Sequence, residues 1–396
     1  MKKNKKNSSI DQVENIATSS KSDAYDFKKI FEEIESDLIL SMKRTLSRHL
    51  TEQEKMGYSW EQWQSSKLRA LRAFKKECEN IVNNQADKIS ESIDESLSKS
   101  YLKGSKKVYQ DAVSNGIKMP TTDTQGNLTD KPPNDEQFFQ MNEKKLNALK
   151  NEVQNSFKDV EKSIFRNVDD NYRQIIYKTS VKIASGSKTL TKAVDEACQE
   201  FLHKGINSVV YKDGKRVNIA TYAEMALRTA SQRATFMGEG ALRKRLGIVT
   251  VFISSHANTC ELCAPYQGMI LIDDVYSGGT IEDSKRLGYP LLSEAIKNGL
   301  FHPNCRHTMK TYFDGVTRLP KPVDEKIYQQ NYAAEQYQRK LENNLREWKR
   351  VEQGALDEDT IFKASHKVKV YQRALREHLK EHGDLRRNEW REKVIV

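Results

Sequence analysis

The residues of this sequence with the clearest chemistry are cysteines and histidines in two short clusters. Cys260 and Cys263 form a C-x-x-C pair, and a second cluster further along the chain holds His302, Cys305 and His307. A C-x-x-C turn places two thiolates at neighbouring corners of a tetrahedron, and an H-x-x-C or C-x-H turn supplies the remaining ligands. The spacing therefore predicts a zinc site.

The ligand types also predict what the zinc would do. The three cysteines are the preferred ligands, His302 is favoured over His307 as the fourth, and His256 is an outside candidate. Four protein ligands leave no open coordination position, so the zinc would brace the domain rather than activate a water molecule. The alternative interpretation is that the cysteines are ordinary small buried residues and the histidines are polar surface residues.

The sequence lacks other common signatures of catalysis. Residues 256–258 lack the glutamate of the H-x-E motif that zinc deaminases require. The chain has no G-x-S-x-G or H-E-x-x-H motif, and residues 186–189 lack the glycine–lysine pair of a phosphate-binding loop. The basic run at residues 243–245 is typical of a helix C-terminus, where cations favour the helix dipole, with phosphate contact as the alternative. We therefore predict that the protein is not an enzyme.

The composition indicates which kinds of partner the protein could bind. The chain has 396 residues and a net charge of +11, from 66 Lys and Arg against 55 Asp and Glu. This balance favours a polyanion such as double-stranded DNA, bound non-specifically, although in a long chain it is as often a solubility feature. The sequence shows no membrane span, signal peptide or disulfide framework, so we expect a soluble protein with reduced thiols, made in the cytoplasm and not bound to a membrane.

The periodicity along the chain predicts the elements that must position the clusters. We expect an α+β protein that is predominantly helical, with an N-terminal helical region, a small mixed α/β domain that carries the zinc site, and a helical C-terminal tail. The expected segments are a disordered basic arm (1–22), the N-terminal helical region (23–115), a flexible linker (116–135), a long helix (136–184), the core domain with the Cys/His cluster (185–320) and the helical tail (321–396).

Apolar stripes carry most of this prediction. Residues recur at three- and four-residue steps from Phe27 to Leu46 and from Leu146 to Ile175. Between these helices, a capping box at Ser59 predicts a helix with Leu68 on its apolar face, and a further stripe begins at Tyr337 in the tail. A stripe as long as the one from Leu146 packs in a bundle or against a partner chain.

The sequence of the core domain contains both helix and strand patterns. A short helix is expected to end at Lys204-Gly205, followed by a hairpin from Val209 to Val217. A capping box at Thr221 predicts a helix that stops at Gly247, and residues 249–255 alternate as a strand does. This strand leads directly into the first cysteine pair.

Four blocks of this domain recur together in one family: a glycine-arginine turn at Asp213–Arg216, a T-Y-A-E-M block at Thr221–Met225, S-S-H and aromatic-Q-G elements within Ser254–Gly268, and an N-C-R-H stretch within His302–His307. In order and spacing they resemble the phage minor capsid protein 2 family, which is related to the Mu F type of phage head morphogenesis protein. The charged C-terminal helix is similar as well. The resemblance covers about residues 185 to 390, whereas the N-terminal helices match nothing specific.

The resemblance implies a low-copy structural protein of the head of a tailed phage or prophage. Such a protein is associated with the portal vertex and acts in capsid assembly or in packaging and ejection of DNA. Its partners would be the portal protein and other head proteins, with no small-molecule substrate, and it would travel in the virion head after synthesis in the host bacterial cytoplasm.

Two alternatives belong to other classes. A phage-encoded zinc-dependent nuclease or toxin would need an open metal site with a general base, and the sequence shows no His-Asn-His spacing or acidic pair near the cysteines. A zinc-braced DNA-binding module would need a denser basic stripe than the chain has.

Overall fold

The computed structural model describes residues 8–48, 50, 60–117, 121–122, 128–129, 143–184, 189–211 and 214–394. Within this part of the chain the fold is predominantly helical with small antiparallel sheets, which confirms the predominantly helical character that the sequence predicted. No helix among these residues combines the length and the apolar character of a membrane span.

The helices follow one another along most of the chain. In order they are α1 (Ser8–Ser47), α2 (Trp60–Asn83), α3 (Ala86–Ser114), α4 (Glu143–Ala184), α5 (Leu190–Lys204), α6 (Ile219–Arg245), α7 (Ile281–Leu287), α8 (Leu292–Lys297), α9 (Glu325–Gly354) and α10 (Glu358–Glu381). Short 3₁₀ turns cover Ala264–Tyr266 and Glu389–Arg391.

Within the described ranges, the strands form three small antiparallel sheets. They are β1 (Thr121–Thr122), β2 (Leu128–Thr129), β3 (Val209–Val210), β4 (Arg216–Val217), β5 (Thr250–Ile253), β6 (Ile270–Ile272) and β7 (Met309–Thr311). Strands β1 and β2 pair with each other, β3 pairs with β4 as the predicted hairpin, and β5 lies between β6 and β7. Strand β5 confirms the strand predicted at residues 249–255.

The chain divides into two compact units, each assembled from three separate stretches. The first, here called the sheet unit, comprises residues 1–23, 91–154 and 225–333, and the second, the helical unit, comprises residues 24–90, 155–224 and 334–396. The sheet unit contains β5, β6 and β7. The helical unit contains α2, α5 and α10.

Buried apolar stripes confirm the two longest predicted helices. All of the stripe residues from Phe27 to Leu46 in α1 and from Leu146 to Ile175 in α4 are buried. In the helical unit, the Phe157 ring lies with its centroid 5.0 Å from that of Phe27 and 5.4 Å from that of Phe31. These aromatic pairs add specific geometry to the hydrophobic burial.

Helix α2 corrects one predicted face. Leu68, expected on the apolar side, is 42% exposed, and its neighbour Lys67 is buried instead. The Lys67 ammonium donates hydrogen bonds to the carbonyl oxygens of Thr45 (3.0 Å) and Arg48 (2.8 Å) at the C-terminal end of α1. The last carbonyl groups of a helix have no partner within the helix and need donors from elsewhere. Because Lys67 supplies such donors to α1, α2 is rotated about its own axis so that Lys67 faces inward. The predicted cap at Ser59 lies outside the described residues.

The structure also places two helix starts differently from the prediction. Helix α1 begins at Ser8, so residues expected in a disordered arm are helical from that point. Helix α6 begins at Ile219 rather than at Thr221, because the Asn218 side-chain oxygen accepts hydrogen bonds from the Ala220 (3.0 Å) and Thr221 (3.4 Å) amides. Asparagine competes well as an N-terminal cap.

Other boundaries agree with the sequence. Helix α5 ends with Gly205 as its C-terminal cap, and α6 ends just before Gly247, which has a positive φ of 68°.

The tail helix α9 differs from the prediction at one position. Tyr337 is 50% exposed rather than buried, and Gln338 takes the inward position. Most of the predicted linker at residues 116–135 lies outside the described residues.

Small residues bring α3 and α6 close together in the sheet unit. A Cβ atom on Gly104 would collide with the Thr235 carbonyl oxygen, and one on Gly238 would collide with the Tyr101 carbonyl oxygen. The Ser105 hydroxyl donates a 3.0 Å hydrogen bond to the Gly238 carbonyl oxygen across the same contact. This close approach holds α6 in place, and the sheet packs against α6 through Phe236 and its neighbours.

Candidate metal centre

The first cysteine pair lies in a tight turn after β5. The amides of Cys263 and Ala264 both donate hydrogen bonds to the Cys260 carbonyl oxygen, at 3.1 and 2.9 Å. The turn is stabilised further by the 3₁₀ segment that follows it. Cys263 is completely buried and Cys260 is half-buried.

The second cluster lies in a strained loop between α8 and β7. Phe301 and Asn304 have φ angles of 59° and 66°, in the left-handed region that non-glycine residues rarely adopt. For Phe301 this conformation costs roughly 1–3 kcal/mol and persists only where surrounding contacts enforce it, whereas asparagine adopts it more readily. Here the Cys305 amide donates a 2.9 Å hydrogen bond to the His302 carbonyl oxygen, which closes the loop.

The structure brings all five predicted ligands together. The Cys263 and Cys305 sulfurs are 3.6 Å apart, the Cys305 sulfur is 3.4 Å from His307 Nδ1, and the Cys260 sulfur is 3.0 Å from His302 Nε2. They form two overlapping groups, Cys260–Cys263–His302 and Cys263–Cys305–His307, within each of which the ligand atoms lie within 4.8 Å of one another. Cys263 belongs to both groups.

Hydrogen bonds orient both histidines towards the sulfurs. His302 Nδ1 donates to the Pro303 carbonyl oxygen at 2.9 Å, so its Nε2 carries the lone pair that faces Cys260. The Thr259 hydroxyl donates to the Cys260 carbonyl oxygen at 3.3 Å and therefore accepts from His307 Nε2 at 3.2 Å. This leaves the lone pair of His307 on Nδ1, beside Cys305. Metal-binding histidines are usually held in this way through their second nitrogen.

Thr259 is a contributor that the sequence analysis missed. It is fully buried, and its position directly before the C-x-x-C pair was the available signal.

The thiols differ in how readily they ionise. The hydrogen bond between Cys263 and Cys305 lowers the pKa of Cys305 and raises that of Cys263 to about 12, and burial adds to the rise at Cys263. Burial is also the main reason that the pKa of Cys260 is raised. Thiolates, not thiols, bind metals, so a full set of thiolates at this place requires a bound cation to offset their charge.

The outside candidate, His256, packs against the cluster. Its ring centroid lies 4.1 Å from that of His307, and its amide donates a 2.9 Å hydrogen bond to the Gln267 side-chain oxygen. Among the described residues, His256 is not a member of either group of ligand atoms. It covers one face of the His307 imidazole.

A buried charge network that includes Arg243 lies next to the sheet. For the basic run at residues 243–245, the sequence favoured an interaction with the helix dipole, with phosphate contact as the alternative. Arg243 is fully buried and pairs with Asp273 at 3.0 Å and with Glu239 at 3.3 Å, while Lys107 pairs with Glu239 at 2.7 Å. Arg243 is therefore not available to phosphate, although Lys244 and Arg245 are exposed. The four-residue spacing of Glu239 and Arg243 was the signal for this network.

Asp273 also anchors the turn after β6. Its Oδ1 atom accepts a 2.8 Å hydrogen bond from the Tyr276 amide, and its carbonyl oxygen accepts from the Ser277 hydroxyl and the Gly279 amide. The Arg243–Asp273 pair thus connects the C-terminal end of α6 to this turn.

Comparison with known proteins extends the motif-level resemblance. The sequence model of the family described as phage minor capsid protein 2 matches residues 22–380. This match includes the N-terminal helices, which the motifs left unassigned. No curated protein and no solved structure matches significantly. Because the family match covers nearly the whole chain, this chain belongs to the phage minor capsid protein 2 family, and its role is that of a structural protein of the phage head.

Proposed function

We propose that this protein is a low-copy component of the head of a tailed phage or prophage, that it sits at the portal vertex, and that it acts in capsid assembly or in packaging and ejection of DNA. The family match over residues 22–380 is the observation that carries the proposal. The match includes stretches of both compact units. Its direct partners would be the portal protein and other head proteins.

Incorporation into heads tests the proposed location. Heads assembled in the presence of the portal protein are expected to contain the protein at a few copies each, and heads assembled without the portal protein should lack it. Quantitative mass spectrometry of purified heads measures both. Equal amounts in the two preparations would contradict a portal location while leaving the head assignment intact.

The Cys/His cluster has the donor set of a structural zinc site. With Zn–S near 2.3 Å and Zn–N near 2.0–2.1 Å, the edges of a tetrahedron are about 3.8 Å between sulfurs and about 3.5 Å between sulfur and nitrogen. The Cys263–Cys305 and Cys305–His307 distances of 3.6 and 3.4 Å are close to these edges. Cys263, Cys305 and His307 therefore already have the spacing of zinc ligands. Cys260 shares a group with Cys263 but not with Cys305 and His307, so it would have to move closer to complete a site that joins the turn after β5 to the loop before β7.

The fourth ligand is the remaining choice. The three cysteines provide three ligands, and the sequence favoured His302 for the last position. Two observations favour His307: it is 1% exposed, and the fully buried Thr259 fixes its lone pair towards Cys305. We propose His307 as the fourth ligand and place His302 outside the ligand set, although His302 Nε2 lies 3.0 Å from the Cys260 sulfur.

Single substitutions separate the two histidines. His307→Ala should weaken zinc binding by at least as much as the 10–100-fold that loss of a supporting group typically costs, and more than His302→Ala does. Competition with a chromophoric chelator measures the affinity. A larger loss for His302→Ala would reverse the assignment.

We further propose that any contact with DNA is non-specific. The support is the net charge of +11, since charge attraction to phosphates does not depend on base sequence. Gel shifts with unrelated duplexes should give similar affinities that fall steeply with salt. A strong preference for one sequence at physiological salt would contradict the proposal.

A further inference from the structure

A second group of metal-ligating side chains lies at the C-terminal end of α10, and none of its members belongs to the cysteine cluster. His378, Glu381 and His382 read H-x-x-E-H in the sequence. Positions i, i+3 and i+4 share one face of a helix. The ligand atoms of the three side chains all lie within 4.8 Å of one another.

His378 is fixed before any ion binds. Its side chain is buried, and Nε2 lies 2.9 Å from the Ala334 carbonyl oxygen. A carbonyl oxygen only accepts, so Nε2 carries the proton and Nδ1 keeps its lone pair. The Tyr337 ring packs against the imidazole with centroids 4.9 Å apart, which further limits its rotation. A donor held in this way loses little conformational entropy on binding.

His382 and Glu381 make the group accessible from solvent, because both are exposed. The His382 ring lies with its centroid 4.5 Å from that of His378, and its amide donates a 3.0 Å hydrogen bond to the His378 carbonyl oxygen. His382 is the C-terminal cap of α10. The carbonyl groups at this end of a helix carry partial negative charge, which favours a cation.

We propose that His378 Nδ1, Glu381 and His382 bind a divalent transition-metal ion such as zinc. Two imidazoles and one carboxylate are ligands that zinc accepts, and imidazole disfavours magnesium and calcium. Three protein ligands leave a coordination position for water or for a donor group from outside the chain. The site is therefore open, unlike the closed site proposed for the cysteines, and it does not depend on that proposal.

Equilibrium dialysis of untagged full-length protein against zinc tests the site. Wild-type protein should bind about one equivalent more than either His382→Ala or Glu381→Gln, since three-ligand zinc sites need all of their ligands. These exposed positions are preferred to His378, whose buried hydrogen bond makes its substitution a risk to folding. His366→Ala, an exposed histidine on the same helix, is the matched control and should keep the wild-type zinc content.

Cobalt substitution distinguishes this site from the cysteine cluster. The thiolate-to-cobalt charge-transfer band should persist in His382→Ala and disappear in Cys263→Ser, while Cys263→Ser should keep the equivalent that His382→Ala loses. Equal zinc content in wild type, His382→Ala and Glu381→Gln would overturn the α10 site and leave the cysteine site standing. An equal loss in His366→Ala would also overturn it, because the binding would then be non-specific.

Discussion

The sheet unit and the helical unit depend on different kinds of interaction. In the sheet unit, strands β5, β6 and β7 are only three or four residues long, and the turns beside them contain the Cys/His cluster and the Arg243–Asp273 pair. The helical unit contains helices such as α2 and α10, each 24 residues long, with continuous buried faces. The three-stranded sheet thus combines a small apolar core with a few buried polar contacts, whereas these helices rely mainly on their apolar faces.

This difference has a physical reason. Three short strands bury little apolar surface, so a small sheet is marginal without cross-links or extensive packing. Long amphipathic helices gain about 25 cal/mol for each Å² of apolar area that they bury, with no single residue decisive. Substitution of a buried polar residue in the sheet unit should therefore reduce the free energy of unfolding more than removal of one methyl group from an apolar stripe.

Loss of the proposed zinc should have the largest effect on stability. Cys263 belongs to both ligand groups, so Cys263→Ser should abolish zinc binding at the cluster. Structural zinc contributes roughly 10–16 kcal/mol in isolated zinc-finger peptides, far more than one apolar contact. Hydrogen exchange should show lost protection in β5 and unchanged protection in α2.

Cys198→Ser is the matched control for this change, because Cys198 is a buried free cysteine in the helical unit. Its zinc content should equal that of wild type. Full protection of β5 in Cys263→Ser would show that the sheet does not depend on the metal.

Breaking the buried ion pairs of Arg243 should cause the second-largest loss in the free energy of unfolding. Arg243→Met leaves Asp273 and Glu239 buried without their shared cation, which costs about 3–5 kcal/mol when one partner of a buried pair is removed. Chemical denaturation measures the free energy of unfolding. Lys244→Met, at an exposed neighbouring position, should change it by less than about 0.5 kcal/mol. A loss below about 1 kcal/mol for Arg243→Met would mean that the network is not a main support of the unit.

A conservative deletion in the helical unit should have a smaller effect. Ile164 is fully buried in α4, and Ile164→Val should reduce the free energy of unfolding by about 1 kcal/mol without changing the zinc content. Val181→Ala in the same helix, at a position 55% exposed, should be close to neutral. If Ile164→Val destabilised the protein as much as Arg243→Met, the proposed contrast between the units would be wrong.

The smallest effect at neutral pH should come from the titration of Lys67, which changes stability only at alkaline pH. Burial lowers the pKa of Lys67 from 10.5 to about 8, with a smaller contribution from Arg48. Between these two pH values the unfolded chain binds more protons than the folded one, so the contribution of Lys67 to stability rises as pH increases from about 8 to 10.5.

The measurement is the free energy of unfolding across this pH range in wild type and Lys67→Gln. The difference between the two proteins should move in favour of wild type as pH rises. A constant difference would show that Lys67 keeps an ordinary pKa in the folded protein.

The sequence by itself determined the apolar stripes of the two longest helices and the composition of the Cys/His cluster. A period of three to four residues sets which side chains share a helix face, so the stripes from Phe27 and from Leu146 were predicted from local spacing alone. The C-x-x-C pair and the later His/Cys cluster were likewise visible, because their residue types and spacing are short-range properties.

The tertiary structure decided which polar groups those elements bury. Lys67 replaces Leu68 on the inner face of α2 because the end of α1 supplies carbonyl acceptors, and Arg243 is buried because Asp273, distant in sequence, faces it. Thr259 and the Ala334 carbonyl oxygen fix the histidine tautomers in the same way. Periodicity cannot specify such partners, because a buried polar group is stabilised only by the particular donor or acceptor that the folded chain brings to it.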